Sequence, residues 1–439
     1  TVGASNGAMT LSGTSLTIGA SGIAISNGAG PLTITPQVNL AEDQAWSLGG
    51  TNVTVNGQMQ QNNANERTLT VNGLGTLELA GGAAPHTGNS GNTKTLVFDG
   101  SGTIDLSGDV LTLGTGGKST IRTASTFSGV LTVSGNNTMA DGQGDQAIRH
   151  QSGLLRLGSD NAVGDGSSGT ASFQLRGTDA TTFGNVEAIN GPRTLNNPFS
   201  LATSGGISGS EDITFSSSNT VSGTAVNISG TIGALLEVSN TGSTTFTNAL
   251  SHNDNSGNSR RFYVDTTNSG TVVNFDGGLT RSGGSGEREL EKRGPGTLKL
   301  DGTSDYDGLT RVVAGTLLVN GTLSADEDAV SVLAGATLGG DGTINRPTNV
   351  DGTLSPGDEG AGTLTIGNNL TLGANSQMIF DFNLPGSSDL VDVTGNLSID
   401  DAFTLILQGE IDAVINPSDE FNLFDFDGSF TGDPTMFTI

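Results

Sequence analysis

Short segments in which apolar and polar residues alternate follow one another along the whole chain. Examples are Leu32-Thr33-Ile34-Thr35 and Val53-Thr54-Val55. An alternation with period two is typical of β-strands with one buried face. Glycine and asparagine dominate the separating pieces, such as Ser26-Asn27-Gly28-Ala29-Gly30, because both tolerate the positive φ angles of tight corners. No stretch carries ten residues of helical period, so the sequence predicts an all-β protein.

A repeated motif, Gly-x-Gly-Thr-Leu-x-Leu-x-Gly, indicates how these strands are arranged. It is clearest at Gly294 to Gly302, and two earlier copies begin at Leu69 and Leu96, 27 residues apart (96 minus 69). Its glycine returns at Gly75, Gly102, Gly296, Gly315, Gly321, Gly352 and Gly362. Strand spacing alone fits a sandwich, a barrel or a parallel β-helix. The short strands, the variable corners and the recurring signature favour a parallel β-helix, or β-solenoid, in which successive turns align like residues.

Within the motif, we expect Leu298 and Leu300 to point inward and Thr297 and Lys299 to point outward. The two earlier copies carry Val71 and Phe98 where the third has Lys292. We therefore predict that the basic residues at 292 and 293 are exterior positions free to vary.

Aromatic residues suggest a change near residue 377. Eight of the 17 phenylalanines crowd the last 63 residues, namely Phe380, Phe382, Phe403, Phe421, Phe424, Phe426, Phe430 and Phe437. We predict one continuous β-helix over residues 1–376 and wider turns or a cap over 377–439. The pattern breaks off in mid-strand at Met436 to Ile439, so we expect the chain to be cut there.

Composition narrows the functional classes. Acidic residues outnumber basic ones 44 to 17, giving a formal net charge of −27, which opposes binding to nucleic acid or anionic lipid. The absence of cysteine excludes disulfides and thiolate metal sites. No apolar run is long enough for a membrane span, and the first ten residues do not resemble a signal peptide. The acidic, cysteine-free, glycine-rich composition is typical of exported proteins.

Residues Leu290 to Leu318 resemble a known family. Lys-x-Gly-x-Gly-Thr-Leu-x-Leu-x-Gly is followed there by Tyr306-Asp307-Gly308-Leu309-Thr310 and then by Ala314-Gly315-Thr316-Leu317. This pattern is similar to the autotransporter-associated β-strand repeat found in the passenger regions of large exported bacterial proteins. The resemblance implies a right-handed parallel β-helix located outside the cell or at its surface. It implies no catalytic residue.

Candidate chemistry is confined to carboxylates and histidines. Asp301, Asp305 and Asp307 are weak candidates for a Ca²⁺ site, because calcium requires grouped oxygen ligands; Asp425 and Asp427 form a second, similar group. The same three aspartates, near Lys299 and Arg311, are also candidates for polysaccharide cleavage, which needs clustered carboxylates. A further pair consists of Asp389 and Asp392, which should face opposite sides of a strand. The histidines His86, His150 and His252 lie in glycine-rich contexts without a nucleophile elbow.

We therefore expect a non-enzymatic, exported β-solenoid with a structural or adhesive role and no bound cofactor. One alternative is a self-assembling extracellular filament or surface-layer subunit, hence a homo-oligomer. Another is a β-helix enzyme that acts on polysaccharides. The expected partners are surface glycans or further copies of the chain. Function should reside where the repeat is broken, chiefly at residues 135–169 and 251–258.

Overall fold

The computed structural model contains two compact units, residues 1–220 and 221–439, and each is a stack of short parallel strands. It describes residues 7–61, 65–85, 93–110, 118–137, 146–164, 172–222, 226–228, 231–254, 257–374, 376–381, 388–399, 403–408 and 422–432. The described residues form no helix, and hence no helix that could cross a membrane. The predicted all-β, parallel solenoid is confirmed.

The strands of the first unit are two to eight residues long. They are β1 (Met9–Leu11), β2 (Ser15–Ile18), β3 (Ile23–Ala24), β4 (Leu32–Ile34), β5 (Gln37–Leu40), β6 (Gln44–Leu48), β7 (Val53–Val55), β8 (Met59–Gln61), β9 (Glu66–Gly73), β10 (Thr76–Glu78), β11 (Ala83–Ala84), β12 (Thr93–Asp99), β13 (Thr103–Leu106), β14 (Lys118–Thr123), β15 (Val130–Val133), β16 (Gln146–His150), β17 (Leu154–Leu157), β18 (Ser172–Leu175), β19 (Asn185–Ala188), β20 (Arg193–Leu195), β21 (Phe199–Leu201), β22 (Ser204–Ile207), β23 (Ile213–Phe215) and β24 (Asn219–Val221).

The strands of the second unit are of similar length. They are β25 (Val226–Ile228), β26 (Thr231–Val238), β27 (Ser243–Phe246), β28 (Leu250–Asn253), β29 (Arg260–Thr266), β30 (Val272–Phe275), β31 (Leu279–Ser282), β32 (Arg288–Arg293), β33 (Thr297–Leu300), β34 (Thr303–Ser304), β35 (Thr310–Val312), β36 (Gly315–Val319), β37 (Thr322–Leu323), β38 (Val330–Val332), β39 (Ala336–Gly340), β40 (Thr343–Ile344), β41 (Thr348–Val350), β42 (Thr353–Pro356), β43 (Thr363–Ile366), β44 (Leu370–Leu372), β45 (Gln377–Asp381), β46 (Leu390–Val393), β47 (Leu397–Ile399), β48 (Thr404–Gln408), β49 (Phe424–Phe426) and β50 (Phe430–Thr431).

Each strand pairs with the equivalent strand one turn earlier and one turn later. In the first unit, one sheet runs β1-β4-β7-β10-β13-β15-β17-β19-β22, with Leu77 in register with Val53 and Ile104. In the second unit, another runs β27-β30-β33-β36-β39-β42-β45-β48, with Leu298 in register with Val273 and Leu317. The antiparallel β25–β26 hairpin is an exception. Like residues therefore stack in rows along each unit.

The alternation decides which rows fill the core. Leu298 and Leu300 are fully buried, whereas Thr297 and Lys299 are half-buried on the outer face, as predicted. Burying one such leucine is worth about 1.5–3 kcal/mol relative to exposure. Phe380 extends the inward row of β45, where it is in register with Leu407. The predicted change of architecture at residue 377 stays a prediction, and Phe382, Phe421 and Phe437 lie outside the described residues.

Glycine corners let the turns approach one another closely. Gly294 has a φ of 69°, and a side chain there would collide with the carbonyl oxygen of Thr266 in the previous turn. Corner length varies, however. Leu77 is in register with Ile104, 27 residues on, but Leu69 is in register with Phe98, 29 residues on. The uniform spacing of the first two sequence copies is thus interrupted by a longer corner that includes the exposed Leu74.

Lys292 does not lie on the exterior, contrary to the prediction that positions 292 and 293 are exterior and free to vary. Its side chain is fully buried, in an inward row between Val264 and Val312. The Nζ atom donates to the Thr266 hydroxyl at 2.9 Å and to three backbone carbonyl oxygens. Those carbonyls belong to Arg293 (2.7 Å), Gly294 (2.8 Å) and Ala314 (3.2 Å). Burial lowers the pKa of Lys292 to about 8. The prediction was wrong because the tight corner leaves buried backbone carbonyl groups without strand partners. The Lys292 ammonium group donates hydrogen bonds to these carbonyl groups in place of a neighbouring strand.

Replacing Lys292 with methionine should lower the free energy of unfolding by about 1–3 kcal/mol, because the carbonyls would stay buried without donors. The matched control is Lys299→Met, which removes a half-exposed ion pair with Asp358 (2.7 Å) and should cost at most about 1 kcal/mol. Urea unfolding of both variants tests this difference. Equal stability losses would contradict the assigned role of Lys292.

Candidate functional site

The predicted aspartates near residue 305 are engaged by the protein itself. Asp305 Oδ1 accepts the backbone N–H of Arg281 at 3.2 Å. Asp307 Oδ1 accepts the backbone N–H of Arg288 at 3.0 Å, and its Oδ2 pairs with the Arg281 guanidinium at 2.7 Å. Both carboxylates therefore hold neighbouring turns together.

Asp301 belongs to a different cluster. The Asn320 side-chain amide donates to Asp301 Oδ1 at 2.7 Å and to Asp358 Oδ2 at 2.9 Å. Lys299, which the sequence placed near the three candidate aspartates, forms its ion pair with Asp358. Within the described parts of the chain, no three acidic or histidine side chains converge closely enough to hold a metal ion.

Asp389 and Asp392 are separated by the strand, as expected. Asp389 is buried, and its carboxylate accepts the backbone N–H groups of Gly362 (2.7 Å) and Asp381 (2.6 Å). Desolvation raises the pKa of Asp389. Asp392 is half-buried on the outer face, in register with Asp425. This arrangement gives Asp389 a structural role and separates it from Asp392.

An open, acidic groove of about 690 Å³ lies in the second unit. Its lining includes Ser285, Glu287, Asp307, Ala325, Asp326, Glu327, Asp328, Asn345 and Asn368. Five carboxylates at one surface repel anions. The groove is therefore unsuited to acidic polysaccharides.

The broken segment at 135–169 is described in part, and residues 138–145 and 165–171 lie outside the described structure. Asn137 is fully buried there. Its Oδ1 accepts the backbone N–H of Val110 at 2.6 Å, and its Nδ2 donates to the carbonyl of Ala162 at 2.5 Å. The Asn137 side chain thus links the turn before it to the turn after it.

The second broken segment, 251–258, has both inward and outward residues where it is described: His252 and Asp254 are buried, whereas Gly257 and Asn258 are exposed. His252 lies in β28, is 1% exposed and lies 6.2 Å from the Phe262 ring. Asp254 forms a buried ion pair with Arg260 at 2.6 Å. Arg288, also fully buried, donates to the Asp254 carbonyl. His252 and Asp254 thus belong to an interior polar cluster.

Arg346 is another fully buried cation that the alternation did not reveal. Its guanidinium lies 4.7 Å from the centre of the Tyr306 ring. It donates to the carbonyls of Ser324 (2.9 Å), Gly308 (2.6 Å) and Tyr306. Its position in Asn345-Arg346-Pro347, where a corner interrupts the alternation, is the available sequence signal.

His150 is fully buried and saturated with hydrogen bonds. Its Nδ1 lies 3.1 Å from the Thr123 hydroxyl, and its Nε2 lies 3.2 and 3.0 Å from the carbonyls of Gly153 and Asn185. The carbonyls require Nε2 to carry the proton, so Nδ1 accepts from Thr123. Burial lowers the pKa of His150 to about 4, and desolvation followed by repulsion from Arg288 lowers the pKa of His252 to about 3. Neither imidazole can act on a substrate from these positions; His86 lies outside the described residues.

Acid should weaken the fold through these histidines. Because the folded pKa lies below the unfolded value of about 6.5, the unfolded chain binds protons more readily. The contribution of His150 is then intact above pH 6.5 and is lost as the pH falls towards 4, by up to about 1.4 kcal/mol per pH unit.

Glutamine at position 150 can reproduce the donor and the shape without titrating in this range. The His150→Gln variant should therefore show a shallower loss of stability between pH 6.5 and 4 in urea unfolding. An unchanged pH slope would refute the neutral, buried assignment.

Comparisons with known proteins agree with the repeat architecture. Residues 290–319 match the family described as the Passenger-associated-transport-repeat. This segment contains Lys292, the Leu298/Leu300 pair and Tyr306, all of which are buried.

The chain is also similar to the Adhesin BmaC autotransporter of Brucella suis biovar 1 (strain 1330), with 31% identity over 156 residues. The aligned region is 34% of this chain but only 4% of that relative. Residues 290–319 thus form a passenger-associated repeat within a parallel solenoid, and part of the chain is similar to an autotransporter adhesin.

Proposed function

We propose that this chain serves, outside the cell or at the bacterial surface, as a structural and adhesive β-solenoid. The observation that carries the proposal is the passenger-type repeat at 290–319, seated in a continuous ladder of parallel turns within its unit. The similarity to a protein named as an adhesin supports the adhesive role. The net charge of −27 suits a solvated exterior surface.

We also propose that the protein works without enzymatic activity, a bound cofactor or a catalytic metal. The contacts of the candidate acids support this part of the proposal. A catalytic carboxylate must be free to exchange a proton or attack a substrate. Asp305, Asp307 and Asp389 instead accept backbone N–H groups. Asp301 is held by Asn320.

Binding should occur through the outer rows and loops, since the inward rows are packed with apolar side chains. The outer faces carry stacked hydroxyl side chains, such as Thr297, Thr316, Thr337 and Thr353 in register over four turns. Such rows offer repeated donors and acceptors at about 4.8 Å spacing, a pattern suited to surface glycans.

Beads coated with the purified chain should adhere to host cells or to immobilised surface glycans, and soluble chain should compete. Beads coated with chain unfolded by heat serve as the control, because adhesion by stacked rows requires the fold. Absence of adhesion to cells and glycans would contradict the adhesive role.

Release of reducing or unsaturated sugar ends from polysaccharides would contradict the non-enzymatic role. Concentration-dependent filaments in electron micrographs would favour the assembly alternative.

A further inference from the structure

An outward row of side chains on one sheet of the first unit contains two carboxylates in direct succession. The row consists of Thr54, Glu78, Asp105, Thr132, Arg156 and Glu187, each in register with the next. Neighbouring strands lie about 4.8 Å apart, and like charges directly opposite one another destabilise a sheet. Stacking in register therefore forces Glu78 and Asp105 into repulsion.

Local hydrogen bonds do not offset the negative charge of both Glu78 and Asp105. Glu78 accepts from the hydroxyls of Thr54 (3.1 Å) and Ser107 (3.4 Å). Asp105 is half-buried, and its Oδ1 is a buried atom without a hydrogen-bond partner among the described residues. The neighbour on its other side, Thr132, is uncharged. Burial, and then the charge of Glu78, raises the pKa of Asp105.

The same row offers an internal comparison. Arg156 pairs with Glu187 at 2.7 Å, so that acid has a direct counter-ion. In the second unit, Glu237 is in register with Asp265, but Asp265 is itself in register with Arg293. Glu78 and Asp105 are in register with no basic residue. Glu78 and Asp105 therefore lack the counter-ion that the other acids of these two rows have.

We propose that the stacked pair Glu78 and Asp105 is a proton- and salt-sensitive element, which tightens this part of the solenoid when it is protonated or screened. Because the folded state binds the proton of Asp105 more readily than the unfolded chain does, stability from this pair is highest below the unfolded pKa of about 4. It falls as the pH rises through the pKa of the folded state. This trend is opposite to that of the buried histidines. An exported protein with this element would hold these turns more tightly in mildly acidic or salty surroundings.

Hydrogen exchange of the amides in β10 and β13 measures local opening, after correction for the intrinsic exchange rate at each pH. At about pH 7.5 and low salt, Asp105→Asn and Glu78→Gln should each increase protection about two- to five-fold. The gain should shrink in high salt and at about pH 4. The double variant should gain no more than the better single variant, because either substitution removes the repulsion.

The matched control is Glu187→Gln, which removes a paired acid from the same row and should leave protection unchanged or lower it. If the fold were stabilised only by a lower net negative charge, all three substitutions would increase amide protection equally. This result would overturn the proposal. Unchanged or reduced protection in both Asp105→Asn and Glu78→Gln at low salt would overturn it as well.

Discussion

In-register parallel stacking is the constraint on which each unit depends. A strand of three to five residues cannot bury its apolar face alone, and it gains a core only when the next turn places a like residue beside it. Leu77 between Val53 and Ile104, and Leu298 between Val273 and Leu317, show this rule in the two units. The same register that aligns leucines also aligns charges, so favourable rows and repulsive pairs have one origin.

Corners are where this architecture meets its main difficulty. Strand pairing satisfies backbone groups along the walls, but the tight turns leave carbonyl oxygens that point into the interior. Buried cations supply the missing donors: Lys292, Arg288 and Arg346 each bind several carbonyls from different turns. Because unpaired buried polar groups are costly, these cations are part of the fold rather than of a binding site. The carboxylates of Asp305, Asp307 and Asp389 perform the reverse task, since they accept backbone N–H groups.

The inward or outward direction of side chains in the strands could be predicted from the sequence, whereas the contacts made at the corners could not. Alternation with period two is a local property, and it correctly assigned Leu298 inward and Lys299 outward. The interior position of Lys292 depends on carbonyls up to 22 residues away in the chain, which no local pattern records. The shift between Leu69 and Phe98 likewise depends on the length of one corner. For the candidate acids, residue type indicated possible chemistry, but their partners lie in other turns and only the folded chain shows them.

Equivalent residues of successive turns lie side by side in parallel register. The chain has no cysteine, so a pair introduced at positions 316 and 337, which are in register on the outer face, can be tested alone. Adjacent strands place such a pair within the Cα separation of about 4.4–6.8 Å that a disulfide requires. Parallel register predicts rapid disulfide formation in the folded Thr316→Cys/Thr337→Cys variant and none in Thr316→Cys/Thr353→Cys, whose positions are two turns apart. Equal cross-linking of both pairs, or cross-linking of the second alone, would contradict it.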